Sequence, residues 1–303
     1  MSKERSFLAE EKWLTVPWAK SKASKTAQSQ LLDMLMPVPG ILEELAAMEH
    51  NPQSASHEAT LEILRRVQAQ LVALYAWRWK WQLCYGHSVS VDIVQGESEP
   101  HPGSSESSAS ATSTPRRRMR LEFGRFNAAA EIMLYNAAIM WPMALLWKLD
   151  PLGARQAIET CARQASSGFN GDGFDDTLQS FAPLRRPGGA LSVVEPAMEI
   201  CQVFEWVSRH HNSSREATFL YMLPMGMAVA VLGEKARQDG DASWAKGLLD
   251  LSPVTSKYAK LLNPAGFGFY LTPEALDIDE GEAQQRLLPQ QDIGSFNQLH
   301  NMF

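Results

Sequence analysis

Residues 132–147 carry no charged side chain, and a segment of that kind has to be covered on every side. As a helix it falls just short of the roughly 20 apolar residues needed to cross a bilayer. Asn136 and Pro142 also interrupt it. A second uncharged stretch, residues 217–233, contains Pro224, Gly226 and Gly233 and is short in the same way. Both read as core helices, because an uncharged helix of this length is usually enclosed by other helices of the same domain. A membrane is therefore not among the expected partners.

The rest of the chain supplies elements that could enclose such a core. Over residues 59–83, Leu61, Leu64, Val67, Leu71, Leu74 and Trp81 recur at steps of three and four, with Glu62, Arg65, Arg66, Gln68 and Gln70 mostly opposite. That spacing predicts an amphipathic helix. Shorter helices are expected over 28–36 and 41–48, separated by a corner at Pro37, Val38, Pro39 and Gly40, where the prolines cannot continue a helical ladder. Further helices are expected over 127–149, 152–166, 195–211, 214–233, 241–249 and 253–262. Asp150 and Pro151 would open the second of these, Gly168 would close it, and the 195–211 and 214–233 helices would form an antiparallel pair. A short extended piece is expected over 88–94.

Residues 95–115 are rich in Ser, Pro, Glu and Gly and lack periodicity, which is the composition of a disordered insertion. The expected organisation is an N-terminal helical segment (1–94), a disordered Ser/Pro/Arg linker (95–120), and a second helical segment (121–262) packed on the first as one domain. A mostly irregular tail (263–303) follows, with acidic residues Asp277, Asp279, Glu280 and Glu282. The fold class is all-α, an irregular multi-helix bundle with a disordered insertion.

The formal net charge is -6, which argues against a surface that grips nucleic acid by neutralising phosphates. Cys84, Cys161 and Cys201 are far apart and odd in number, with no second cysteine at metal-knuckle spacing. They fit a reducing compartment. The first residues lack the apolar run of a secretory leader, and Glu4, Glu10 and Glu11 are wrong for a mitochondrial presequence.

Catalytic constellations are sparse. The segment Asn170, Gly171, Asp172, Gly173, Phe174, Asp175, Asp176 approaches a calcium loop, but the sixth and twelfth positions hold Asp175 and Phe181 where glycine and a carboxylate are required. Asp172, Asp175 and Asp176 also carry the alternative reading, an all-α biosynthetic enzyme with a metal at these aspartates. The order of the cluster and its flanking glycines differ from the helix-borne aspartates of terpene synthases. Adjacent His210 and His211 point about 100 degrees apart on a helix and do not readily share one ion; in a last turn they favour the negative helix end. Trp77, Trp79 and Trp81 alternate with Arg78 and Lys80, which on a helix gives core packing with a basic rim rather than a stacking platform for bases. No catalytic residue, cofactor or metal is assigned on this reading.

Arg116, Arg117, Arg118 and Arg120 follow directly on the serine-rich arm. A short arginine cluster of this kind can serve as a nuclear address. Thr114 before Pro115 is a candidate phosphorylation site, whose added charge would partly neutralise those arginines.

Several ordered stretches resemble the regulatory region C-terminal to the zinc cluster in fungal zinc-binuclear-cluster transcription factors, especially regulators of secondary-metabolite gene clusters. The residues that carry the resemblance begin with Phe7, Leu8, Ala9, Glu10, Glu11, Lys12 and Trp13, with Val16, Pro17 and Trp18. Leu31, Leu32, Asp33, Met34 and Leu35 follow, ahead of the proline corner and Ile41, Leu42, Glu43 and Glu44. Residues 131–138, 198–202 and 223–228 are similar to its later helices. The resemblance implies a helical effector region acting in the nucleus, with the cytoplasm as the alternative. Its partners would be other transcription factors or coregulators, with a dimer among the assemblies it allows. Such factors read DNA through six closely spaced cysteines binding two zinc ions, and this sequence has no such cluster. Direct DNA binding by this chain alone is not expected. Two origins stay open: a part of a longer factor, or a stand-alone relative that acts through a partner.

Overall fold

Capping chemistry and apolar spacing together decide where each helix begins. In the computed structural model, which describes residues 10–11, 25–51, 56–95, 117–169, 183–210, 215–239, 267 and 270–278, helices α1 (Ala27–Leu35), α2 (Val38–His50) and α3 (His57–Tyr85) come first. Strands β1 (Val89–Gln95) and β2 (Arg117–Phe123) follow, then α4 (Phe126–Leu149), α5 (Ala154–Ser167), α6 (Val194–His210) and α7 (Arg215–Asp239). The protein is mostly helical, as expected.

Thr26 Oγ1 accepts the Ser29 amide at 3.1 Å and opens α1; Ser56 Oγ accepts the Ala59 amide at 3.1 Å and opens α3. Each satisfies one amide that the first turn leaves without a helical partner. Helix α2 starts at Val38, earlier than the proline corner predicts. Pro37 is its N-cap residue and Pro39 lies in its first turn, where a missing N–H costs nothing. Helix α5 starts later than expected, at Ala154, because Asp150 Oδ1 accepts the Gly153 amide at 3.0 Å and closes a separate turn first. Gly168 caps its C-terminus with φ at −75°.

Helix α4 is the axis of the molecule. It is buried around nearly its whole circumference from Ala128 to Trp147 and packs against α1, α3, α5, α6 and α7. By length and composition it could cross a membrane, yet 94% of its most apolar stretch is buried within the protein. Ala128, Ala129, Ala137, Ala138 and Ala144 lie almost wholly inside, and small side chains let neighbouring helices approach closely. The helix runs through Pro142 without ending. Helices α6 and α7 pack against each other as the expected pair.

The extended piece expected over 88–94 is β1, and it has a partner that the sequence reading did not supply. Residues 95–120 do not form a linker throughout: Gln95 belongs to β1, and Arg117, Arg118 and Arg120 lie on β2, antiparallel to it with Val89 opposite Phe123 and Gln95 opposite Arg117. Leu121 and Phe123 are buried, and β2 rests on α6. The period-two alternation of Met119, Leu121 and Phe123 with Arg118, Arg120 and Glu122 is the signal of a half-buried strand. The arginine run obscured it. The expected helices over 241–249 and 253–262, and the insertion over 96–116, lie outside the described residues.

Part of the region expected to be an irregular tail docks on α4. Phe267 and Tyr270 meet Trp141 edge-on, with ring centroids 4.7 and 5.6 Å away. The Val193 amide donates to the Ala275 carbonyl at 3.0 Å, and Leu276 is fully buried.

Candidate functional site

Helix α6 carries three buried carboxylates, and each faces an arginine from a different part of the chain. Glu195 lies 2.6 Å from Arg185 Nη1, in the segment that leads into α6. Glu199 lies 3.6 Å from Arg78 Nη2 on α3, and Glu205 lies 3.0 Å from Arg120 Nε on β2. At the surface the polarity reverses: Arg209 of α6 meets Glu122 of β2 at 2.8 Å. The helix is thus a spine to which α3, β2 and the 183–190 segment are tied by charge.

Glu195 serves two purposes. Its Oε2 accepts the amides of Leu191 at 2.7 Å and Ser192 at 2.8 Å, so a first-turn carboxylate reaches back to amides ahead of the helix, close in logic to a capping box. Its other oxygen holds Arg185, whose Nη1 also donates to the Gly189 carbonyl at 3.0 Å. The turn between them passes through Gly188 at φ 78°, where a Cβ would lie 2.3 Å from Ala162 Cβ on α5. Pro187, Gly188 and Gly189 are the signal for this turn in the sequence.

Arg78 departs most from the sequence reading. Expected on a basic rim, it is 1% exposed. Its guanidinium lies 5.0 Å from the centroid of Trp81 and 5.4 Å from that of Tyr135, and Nη2 donates to the Arg185 carbonyl at 3.4 Å. Burial lowers its pKa and the Glu199 carboxylate opposes that shift; an arginine starts so high that it stays protonated. Core packing of the tryptophans is as expected, since Trp77, Trp79 and Trp81 are all buried. Trp77 and Trp81, four residues apart, share one face of the helix, and Trp79 lies on another. Trp77 stacks on Tyr135 with centroids 5.7 Å apart and donates to the Ala27 carbonyl at 3.2 Å. Trp81 Nε1 donates to Glu131 Oε2 at 2.8 Å. Burial raises the Glu131 pKa, against the lowering effect of that indole and of Arg125.

Of the import cluster, Arg120 is half-buried and bound to Glu205, while Arg117 and Arg118 stand opposite Gln95 and Val94 across the hairpin. Arg116 and Thr114 lie outside the described residues, as do Asp172, Asp175, Asp176 and His211. His210 stacks on Trp206 with centroids 4.8 Å apart, and its Nδ1 lies 2.9 Å from the Trp206 carbonyl, so this histidine serves the end of α6. Among the described residues no group of three or more His, Cys, Asp or Glu is placed to hold a metal ion.

Chemically, the α6 carboxylates have their charge matched by arginines, and Glu199 Oε1, 3.6 Å from Arg78 Nη2, has that ion pair without a hydrogen bond. A general acid or base needs access to a substrate proton, and the cavity beside Glu199 measures about 10 Å³, close to the roughly 10–15 Å³ that one water requires. The arrangement is suited to fixing the mutual positions of helices and hairpin. Compared with models of known protein families, with characterised proteins and with solved structures, the chain matches none.

Proposed function

We propose that this chain is a helical regulatory region of a transcription regulator, acting in the nucleus through contacts with other transcription factors or coregulators and without a DNA-reading zinc cluster of its own. One observation carries the reading. Apart from Glu10 and Glu11, which are exposed, the described stretches on which the resemblance to fungal zinc-cluster factors rests fall on α1, α2, α4, α6 and α7, and each contributes buried residues to one continuous core: Leu31 and Ile41, Ile132 and Tyr135, Met198 and Cys201, Met225 and Ala228. The net charge of -6 supports action through protein rather than through a DNA groove. Arg117, Arg118 and Arg120 belong to the proposed import cluster and fall on β2.

Tethering tests this directly. The full chain fused to an unrelated DNA-binding domain is expected to change transcription of a reporter that carries that domain's site, and the unfused chain is expected to leave the reporter unchanged. A fusion that binds the promoter and leaves transcription at the level of the bare DNA-binding domain would contradict the proposal.

A further inference from the structure

Three polar atoms deep in the core have no hydrogen-bond partner within the protein: the hydroxyl of Tyr75 on α3, Nδ2 of Asn136 on α4 and Oε1 of Glu199 on α6. Their residues are 0%, 2% and 6% exposed, and all three line the same cavity of about 10 Å³. A buried donor or acceptor left unpaired costs about 1–3 kcal/mol, so three together call for an occupant.

We infer that this cavity is the binding site of a single internal water that bridges Tyr75, Asn136 and Glu199. Size and charge select it. A cavity that just admits one water excludes any organic ligand. An anion would face the Glu199 carboxylate, and a cation would face the Asn136 N–H donors and the guanidinium of Arg185, which also lines the cavity. Water meets each group in the sense it needs: it accepts from Asn136 Nδ2 and from the Tyr75 hydroxyl and donates to Glu199 Oε1. Burial holds the Tyr75 phenol well above its usual pKa, so the hydroxyl keeps its proton to donate. Partners from three helices make this water a joint between α3, α4 and α6, beside the Arg78–Glu199 ion pair.

The test is water-oxygen magnetic relaxation dispersion, which counts long-lived internal waters, on the full chain and on its Asn136→Leu variant. Leucine branches at the same carbon as asparagine but is larger and offers no donor, so it removes both the space and the hydrogen bond, and the count is expected to fall by about one. Equal counts in two folded proteins would overturn the inference. Should the variant fail to fold, a crystal structure of the unaltered chain decides. A density peak within hydrogen-bonding distance of all three atoms supports the site; a cavity without density, or direct pairing of these atoms with one another, overturns it.

Discussion

A guanidinium taken out of water is tolerable only where its charge is matched, and Arg78 is matched by Glu199 and by the rings of Trp81 and Tyr135. Removing one partner leaves the other buried and alone. Arg78→Ala is expected to lower unfolding free energy by about 3–5 kcal/mol, as read by denaturant titration. The Arg78→Met, Glu199→Met double variant is expected to lose far less than the sum of the two single changes, because paired buried charges are often replaceable by apolar groups of similar size. Additive losses would show that the pair does not act as a unit. Glu131 gives a pH-dependent case. Burial raises its folded-state pKa above the unfolded value, so its protonated form is favoured by folding, and its contribution is fully present below the unfolded pKa and lost as pH rises through the folded one. Glu131→Gln keeps an acceptor for the Trp81 indole. The stability of the natural protein relative to this variant is expected to fall as pH is raised from acid to neutral, with urea midpoints as the check. Neither arginine nor glutamate was legible as buried in the sequence. A charged residue within a helical pattern is normally solvated, and the partner that licenses burial of Arg78 lies on a helix far along the chain.

At the scale of elements, legibility followed locality. The helices were readable because caps such as Thr26 and Ser56 and the three-to-four spacing of α3 are written within a few residues. The hairpin was readable only by half. Strand β1 announced itself by Val89, Val91 and Ile93, but β2 is defined by pairing across an insertion and by the rest it finds on α6, both long-range facts. Two ion pairs, Arg120–Glu205 and Arg209–Glu122, and the contact of Phe123 with Trp206 at 5.4 Å hold it there. Glu205 is buried, so Glu205→Gln is expected to cost about 1.5–3 kcal/mol locally and to speed hydrogen exchange at the amides of Ser90, Asp92, Arg120 and Glu122, which face the partner strand. Exchange in the middle of α4 should keep its natural rate. Uniform acceleration in both places would mean that the hairpin is not a separable unit.

For the molecule as a whole, a central helix buried on all sides requires that everything else wrap it, and the uncharged run of residues 132–147 made that requirement visible from the start. What surrounds it was less visible. The docking of Phe267, Tyr270 and Leu276 depends on Trp141, and no local pattern links such distant residues. Cysteine chemistry reports on this enclosure. Cys84 is exposed, Cys161 and Cys201 are buried, and burial pushes the Cys201 thiol up to about 12 and raises that of Cys161. The native protein is therefore expected to react with a thiol reagent at Cys84 alone and the denatured chain at all three; fast native reaction at Cys201 would contradict the packing of α6.

The candidate site was legible only as a composition of arginines, histidines and aspartates. Which of these meet was set by folding, and α6 became the spine because its carboxylates fall where α3, the hairpin and the 183–190 turn converge. We propose that this charge-tied helical body regulates transcription. The most direct measurement is expression profiling after deletion of the gene, with restoration by the natural chain and by a variant in which Arg116, Arg117, Arg118 and Arg120 are alanine. A coherent set of genes is expected to change, the natural chain to restore it, and the variant to fail to do so. Unaltered transcripts accompanied by a changed metabolite would contradict it and favour an enzyme.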